Sequence, residues 1–180
     1  MVKILVIGSG AREHAIIKSL NKSKKEKEIY CLASNNNPGI SDICNELKIV
    51  DINNSEIIKD YSIKQSINIA IIGPENPLAH GVADSLWEAG IGVVGPKKNL
   101  AQIETSKSFT RNLLKEYKIP GCPKFKTFVN IEGVKDFLSL LGDNYVVKYD
   151  GLAGGKGVKV AGDHLHSHEE ALSYCKELIE

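Results

Sequence analysis

Val2-Lys3-Ile4-Leu5-Val6-Ile7-Gly8-Ser9-Gly10-Ala11-Arg12-Glu13-His14 decides the fold of this chain. Val2–Ile7 is an apolar run rich in β-branched residues, the pattern of a strand buried on both faces of a parallel sheet. The glycine turn that follows opens into Ala11–Leu20, where Ala15, Ile16 and Leu20 stand at helical spacing. A strand, a glycine turn and a helix in that order begin a βαβ unit. The same alternation continues outward. Ile29–Ala33, Leu47–Val50, Ile67–Ile72 and Ile91–Val94 read as further strands, and Asn54–Gln65 (with a cap signal at Ser55) and Leu78–Ala89 as helices. Strands separated by helices of this length predict a Rossmann-like, doubly wound parallel sheet over residues 1 to about 103.

After Gly95-Pro96 the rhythm changes. Ser106–Tyr117 reads as a helix stopped by Ile119-Pro120-Gly121, because proline cannot continue it. Phe125–Val129 reads as extended, Glu132–Leu141 as a helix, Tyr145–Tyr149 and Val158–Ala161 as strands, and Ser167 onward as a final helix. Residues 104–180 thus form a second, smaller unit of two or three strands, and a sheet that small is marginal alone. Because the chain stops within its last helix, the unit reads as an unfinished domain.

Composition narrows the function. With 23 Lys+Arg against 22 Asp+Glu, the formal charge is +1, not the basic excess that neutralises phosphate backbones, which puts nucleic-acid binding at a disadvantage. At 42% hydrophobic and 25% charged residues the chain is too apolar for disorder. No apolar run reaches the roughly 18–20 residues of a membrane span, and the N-terminal run is too short for a signal peptide. The four cysteines lack a C-x-x-C pair, which argues against zinc and suits reduced thiols. The expectation is a cytoplasmic globular protein with small-molecule ligands.

Three places carry chemistry. Gly8, Gly10, Arg12 and Glu13 open the first helix, where glycines admit a ligand close to the backbone and free N–H groups attract an anion. The plainer reading is a tight turn with no ligand. The dinucleotide pattern G-x-G-x-x-G fails at Glu13, and Ala33-Ser34-Asn35-Asn36 lacks the acid that would hold a ribose. A sugar phosphate fits better, with Arg12 available to phosphate and Glu13 to a hydroxyl or amine. Gly73, Pro74 and Glu75 follow the central strand on the same sheet edge, with Glu75 held between Pro74 and Pro77; a rigid turn with a solvated Glu75 is the alternative. Lys148, followed by Gly154, Gly155, Lys156 and Gly157, gives a strand lysine and a glycine-rich hairpin able to cover nucleotide phosphates. It is not a Walker A loop, since Gly157 follows Lys156 and a strand follows that. His164, His166 and His168 could share a face as a metal site, although a solvated turn explains them too.

Taken in order, these motifs resemble the phosphoribosylamine–glycine ligase family of ATP-grasp enzymes in purine synthesis. The resemblance rests on Val6–Ala15, on Ile72–Leu78 with Gly81-Val82-Ala83-Asp84, on Gly95-Pro96, on Ser106–Thr110 and on Val147–Val158. It implies a pre-ATP-grasp domain followed by the beginning of an ATP-grasp domain. The implied reaction joins glycine to 5-phosphoribosylamine with ATP cleaved to ADP and phosphate. Gly8, Gly10, Arg12, Glu13, Gly73, Pro74 and Glu75 would hold the phosphoribosylamine. Lys107 and Lys148 match the two lysines the family sets on ATP, and Gly154–Gly157 the loop over its phosphates. Ala11 and Tyr149 depart from the family pattern, in which the first is commonly glycine and the second small. The resemblance places the Mg²⁺ or Mn²⁺ ligands and the adenine clamp beyond residue 180, so this chain alone is expected not to complete the reaction. The full-length enzyme is expected to be a monomer with no nucleic-acid or membrane partner. A phosphoribosyl-binding module without catalysis, and an NAD-binding Rossmann protein, are the alternatives.

Overall fold

In the computed structural model, which describes residues 1–180, the chain falls into two compact units, Met1–Gln102 and Ile103–Glu180. The first runs β1 (Val2–Ile7), α1 (Ala11–Asn21), β2 (Lys27–Ala33), α2 (Pro38–Ser41), β3 (Glu46–Ile49), α3 (Ser55–Lys64), β4 (Ile69–Ile72), α4 (Glu75–Ala79), α5 (Val82–Glu88) and β5 (Gly92–Val94), with α6 (Lys98–Thr105) at the boundary. The five strands form one parallel sheet in the order β3-β2-β1-β4-β5. Its centre is the opening stretch of sequence. Leu5 and Ile7 pack into the cluster on one face with Leu32, Ala70 and Ile72. Val6 packs on the other face with Ile17, Cys31 and Ala33. Alternate residues of β1 therefore serve opposite faces, which is why the strand is apolar throughout. Each such side chain, once buried, contributes roughly 1.5–3 kcal/mol.

The expected elements are present, with local differences. The cap of α3 is Asn54, not Ser55: the Asn54 side chain accepts from the N–H groups of Glu56 and Ile57 at 3.1 Å each. Ser55 is already the first helical residue. The helix expected over Leu78–Ala89 is split into α4 and α5 by Gly81, whose φ of +80° is left-handed. Trp87, near the end of α5, is 45% exposed.

The second unit holds α7 (Lys107–Glu116), α8 (Val134–Leu141), β6 (Val146–Lys148), β7 (Val158–Val160) and α9 (His168–Ile179). β6 and β7 pair antiparallel, Lys148 opposite Val158. Phe125–Val129 joins neither sheet. The core is Val134, Leu138, Tyr145, Leu165, Ala171 and Tyr174. Ser106 and Ser167 cap α7 and α9 by accepting from Phe109 N and Glu170 N. No helix in either unit is long and apolar enough to cross a membrane.

Candidate functional site

β1 is flanked by β2 on one side and β4 on the other. The chain leaves β1 toward β2 and comes back to β4 only later, so the sheet's winding reverses between β1 and β4. Ligands of open parallel sheets bind at such a reversal, outside the carboxyl ends of the strands. Ile7 and Ile72 are paired there, and Gly73 N donates to the Ile7 carbonyl at 3.1 Å. The loops starting at Gly8 and Gly73 consequently emerge side by side.

Two consecutive side chains of α1 tie these loops together. Arg12 Nη1 donates to the Gly73 carbonyl at 2.5 Å. Glu13 is only 4% exposed, and its Oε2 accepts from Gly10 N at 2.6 Å. It takes one of the donors a helix start leaves without an intrahelical partner. The glycines make room for it. A Cβ on Gly73 would lie 2.0 Å from Glu13 Oε1, and one on Gly8 2.8 Å from both the Glu13 side chain and Pro74 Cδ. The Glu13 side chain is thus packed inside the site rather than standing over it, a placement the spacing alone does not reveal.

Beneath the turn, Cys31 Sγ donates to the Gly8 carbonyl at 3.3 Å. Burial pushes its thiol up to about 12, helped by Cys44 and Glu13 nearby. At the rim, Asn37 Nδ2 donates to the Ser9 carbonyl at 2.9 Å. Neither Cys31 nor Asn37 stands out in the sequence, though Asn37-Pro38 carries a helix-start signal that marks α2. Glu75 is the first residue of α4, with Pro74 as its cap. The structure thus brings Gly8, Gly10, Arg12, Glu13, Gly73, Pro74 and Glu75 to one edge. The remaining N–H groups of the α1 start and the Arg12 guanidinium give that edge the means to hold an anion.

In the second unit, Lys107, Arg111, Lys148 and Asp150 line a cavity of about 730 Å³, together with apolar groups such as Phe128 and Val147. Gly154, Gly155, Lys156 and Gly157 lie outside its lining. Their loop is closed at its base, where Tyr149 N donates to the Gly157 carbonyl at 2.8 Å. The Tyr149 ring lies against the loop itself: a Cβ on Gly151 would come within 2.7 Å of it. At the tip, Gly154 and Gly155 have φ of +54° and +81° with nothing within 4 Å of an added Cβ. Asp150 accepts from the start of α7, through Lys107 N at 2.6 Å and Ser108 N at 3.1 Å. Its partial burial works to raise its pKa. Hydrogen bonds from the Ser108 hydroxyl and backbone, from Lys107 N and from Ser106 outweigh this and hold the carboxyl below the usual range.

The three histidines separate. His168 sits on the Tyr145 ring with Nε2 3.1 Å from the Gly142 carbonyl, while His164 Nδ1 accepts from Val160 N at 3.4 Å. No group of three His, Cys, Asp or Glu side chains gathers to hold a metal ion.

The N domain of phosphoribosylglycinamide synthetase matches residues 2–104, and the ATP-grasp (A) domain of the same enzyme matches residues 105–180. The phosphoribosylamine–glycine ligase of Methanosarcina barkeri is 47% identical over 179 residues, which is 99% of this chain and 41% of that protein. That of Methanocaldococcus jannaschii is 46% identical over 183 residues, again 99% and 41%. The chain therefore spans about two-fifths of the length of the curated relatives it matches. Among solved structures, phosphoribosylamine–glycine ligase from Thermotoga maritima aligns with a TM-score of 0.72 at 24% identity, over 96% of this chain and 38% of its own. N5-carboxyaminoimidazole synthetase from Staphylococcus aureus complexed with ADP aligns at 0.76 and 15% identity, over 97% and 45%. At those identities the likeness speaks for the fold.

Proposed function

The chain belongs to the phosphoribosylglycinamide synthetase family, and from that premise we propose that it supplies the amine-substrate edge and the first part of the nucleotide unit of an ATP-dependent carbon–nitrogen ligase. The reaction is the joining of glycine to 5-phosphoribosylamine. A carboxylate is a poor electrophile at neutral pH, so the glycine carboxylate first attacks the γ-phosphorus of ATP and ADP leaves. The amine nitrogen then attacks the acyl carbon, phosphate departs, and the nitrogen gives up a proton. Positioning and charge neutralisation carry most of such phosphoryl transfers.

The observation that carries this reading is the meeting of the Gly8–Gly10 and Gly73–Pro74 loops where the sheet's winding reverses. On this reading the start of α1 and the Arg12 guanidinium hold the 5-phosphate, and Gly8, Gly10, Gly73 and Pro74 let the ribose lie close to the backbone. Glu75 is the acid offered to the sugar hydroxyls or amine, and Glu13 braces the loops from within. Lys107 and Lys148, lining one cavity, are the cations for the nucleotide phosphates, with Gly154–Gly157 and Lys156 as the cover. A divalent cation on those phosphates would neutralise charge. The residues of this chain do not form its site, because Asp150 is the only carboxylate lining the cavity and its oxygens are taken by donors at the start of α7.

Calorimetric titration with glycinamide ribonucleotide, which carries the same phosphoribosyl group as the substrate, tests the reading. Binding that weakens at least about tenfold in Arg12→Ala is expected for a lost charge-assisted contact. NADH binding without any response to glycinamide ribonucleotide would instead make this a dinucleotide protein.

A further inference from the structure

The polar groups at the start of α7 converge on one carboxylate. Asp150 Oδ1 accepts from Lys107 N at 2.6 Å and from Ser108 N at 3.1 Å. The Ser106 hydroxyl lies 3.3 and 3.4 Å from its two oxygens, and the Ser108 hydroxyl donates to Oδ2. An ionised carboxylate offers about four acceptor sites, and four donors meet this one. Phe109 N is in turn taken by Ser106 Oγ at 3.1 Å. The first three N–H groups of α7 thus all have partners, and this helix start has none of them free for a phosphate.

Lys107 adds a second fastening. Its Nζ donates to the carbonyl of Gly151, the residue after Asp150, at 2.8 Å. These bonds span 42 to 44 residues of sequence and join α7 to the point where β6 enters the glycine-rich loop. Past that point the loop tip at Gly154 and Gly155 stands in open space. Lys107, Arg111, Lys124, Lys126 and Lys148 are the cations lining the cavity that Asp150 shares.

We propose that Asp150 is a positioning residue. Its carboxylate fixes the first turn of α7 to the base of the glycine-rich loop, so that Lys107 and Lys148 line one cavity while the loop tip remains free to close. The role in nucleotide binding rests on the functional reading above; the fastening itself does not. Asp150 acts through its neighbours and touches neither substrate nor metal, since its acceptor sites are already filled.

Amide NMR on the wild-type protein, Asp150→Asn and Ser108→Ala tests the fastening directly. In the wild type the Lys107 and Ser108 amide protons shift together on acidification, with a midpoint below that of an ordinary aspartate. In Asp150→Asn both move upfield and stop titrating, and backbone order falls at the loop base, Tyr149–Gly151, as well as at its tip. Ser108→Ala, which removes one donor without touching the core, moves the Lys107 amide the same way by less. Amides that ignore pH, or a loop base unchanged in Asp150→Asn, overturn the proposal. Titration with Mg·ADP then tests the consequence. Asp150→Asn is expected to weaken binding about tenfold, the scale of a lost charged hydrogen bond. Added to Lys107→Ala it weakens binding no more than about twofold further, because the two act as one unit. Fully additive losses overturn the positioning role. A wild-type protein that ignores ADP removes the nucleotide reading, while the amide titration still decides the fastening.

Discussion

Glycine marks both candidate sites of this chain, for opposite physical reasons. At Gly8, Gly10 and Gly73 an added Cβ would meet the Glu13 side chain at 2.9 Å or closer. At Gly154 and Gly155 it would meet nothing within 4 Å, and only the positive φ sets these positions apart. The first site is packed in advance, its loops held by Arg12 above and Glu13 within. The second is an open strap fastened only at its base. Glycine in one place makes space for another residue, and in the other it gives the chain freedom to move. On the proposed function, that division suits a small, fixed sugar phosphate at the first site and a nucleotide that has to be covered at the second.

The sharpest way to break the comparison is Gly73→Ala. Its methyl group would displace the buried Glu13 side chain and cost about 2–3 kcal/mol, the upper part of the roughly 1–3 kcal/mol usual for overpacking, measured by urea unfolding. The same substitution in a Glu13→Ala background is expected to add little, since the obstacle has gone. Additive losses would mean that Glu13 is not what fills the space. A smaller effect comes from the floor of the site. With the Cys31 thiol pushed up from an ordinary 9.0 to about 12, the folded state keeps a proton that the unfolded chain loses. That contribution is complete below pH 9 and fades as pH rises toward 12. It amounts to about 1 kcal/mol lost by pH 10, and Cys31→Ala should flatten that part of the pH profile of stability. Smallest of all is Gly155→Ala. In open space it meets only the strain of a left-handed backbone, about 1 kcal/mol, the low end of the usual range, in a loop able to relax. A thermal melt that fell as far as that of Gly73→Ala would erase the distinction between the two kinds of glycine.

Much of the first unit could be read directly. An apolar β1 serving two faces, and turns of glycine and proline at the strand ends, are local signals, and they marked the sheet and the edge where the Gly8 and Gly73 loops emerge side by side. What escaped was non-local or too short. α2 is four residues long and α6 carries little buried surface, with Ala101 its one buried residue. Glu13 read as a group free to face a ligand because the space it fills is made by Gly73, sixty residues further on. Asp150 was in plain view inside a glycine-rich motif. Its four donors lie more than forty residues earlier, and no spacing rule links a loop aspartate to the start of a distant helix. Ser106 was legible as a helix start, but its second partner was not.

The placement of Trp87 gives the chain an optical asymmetry. It is the only tryptophan, it lies on α5 of the first unit, and the second unit carries tyrosine but no tryptophan. Emission excited beyond tyrosine absorbance is therefore a private channel for the first unit, while far-ultraviolet dichroism reads the helices of both. Melting curves that coincide in the two channels describe one cooperative body. Curves that part give the order in which the packed half and the strapped half come undone.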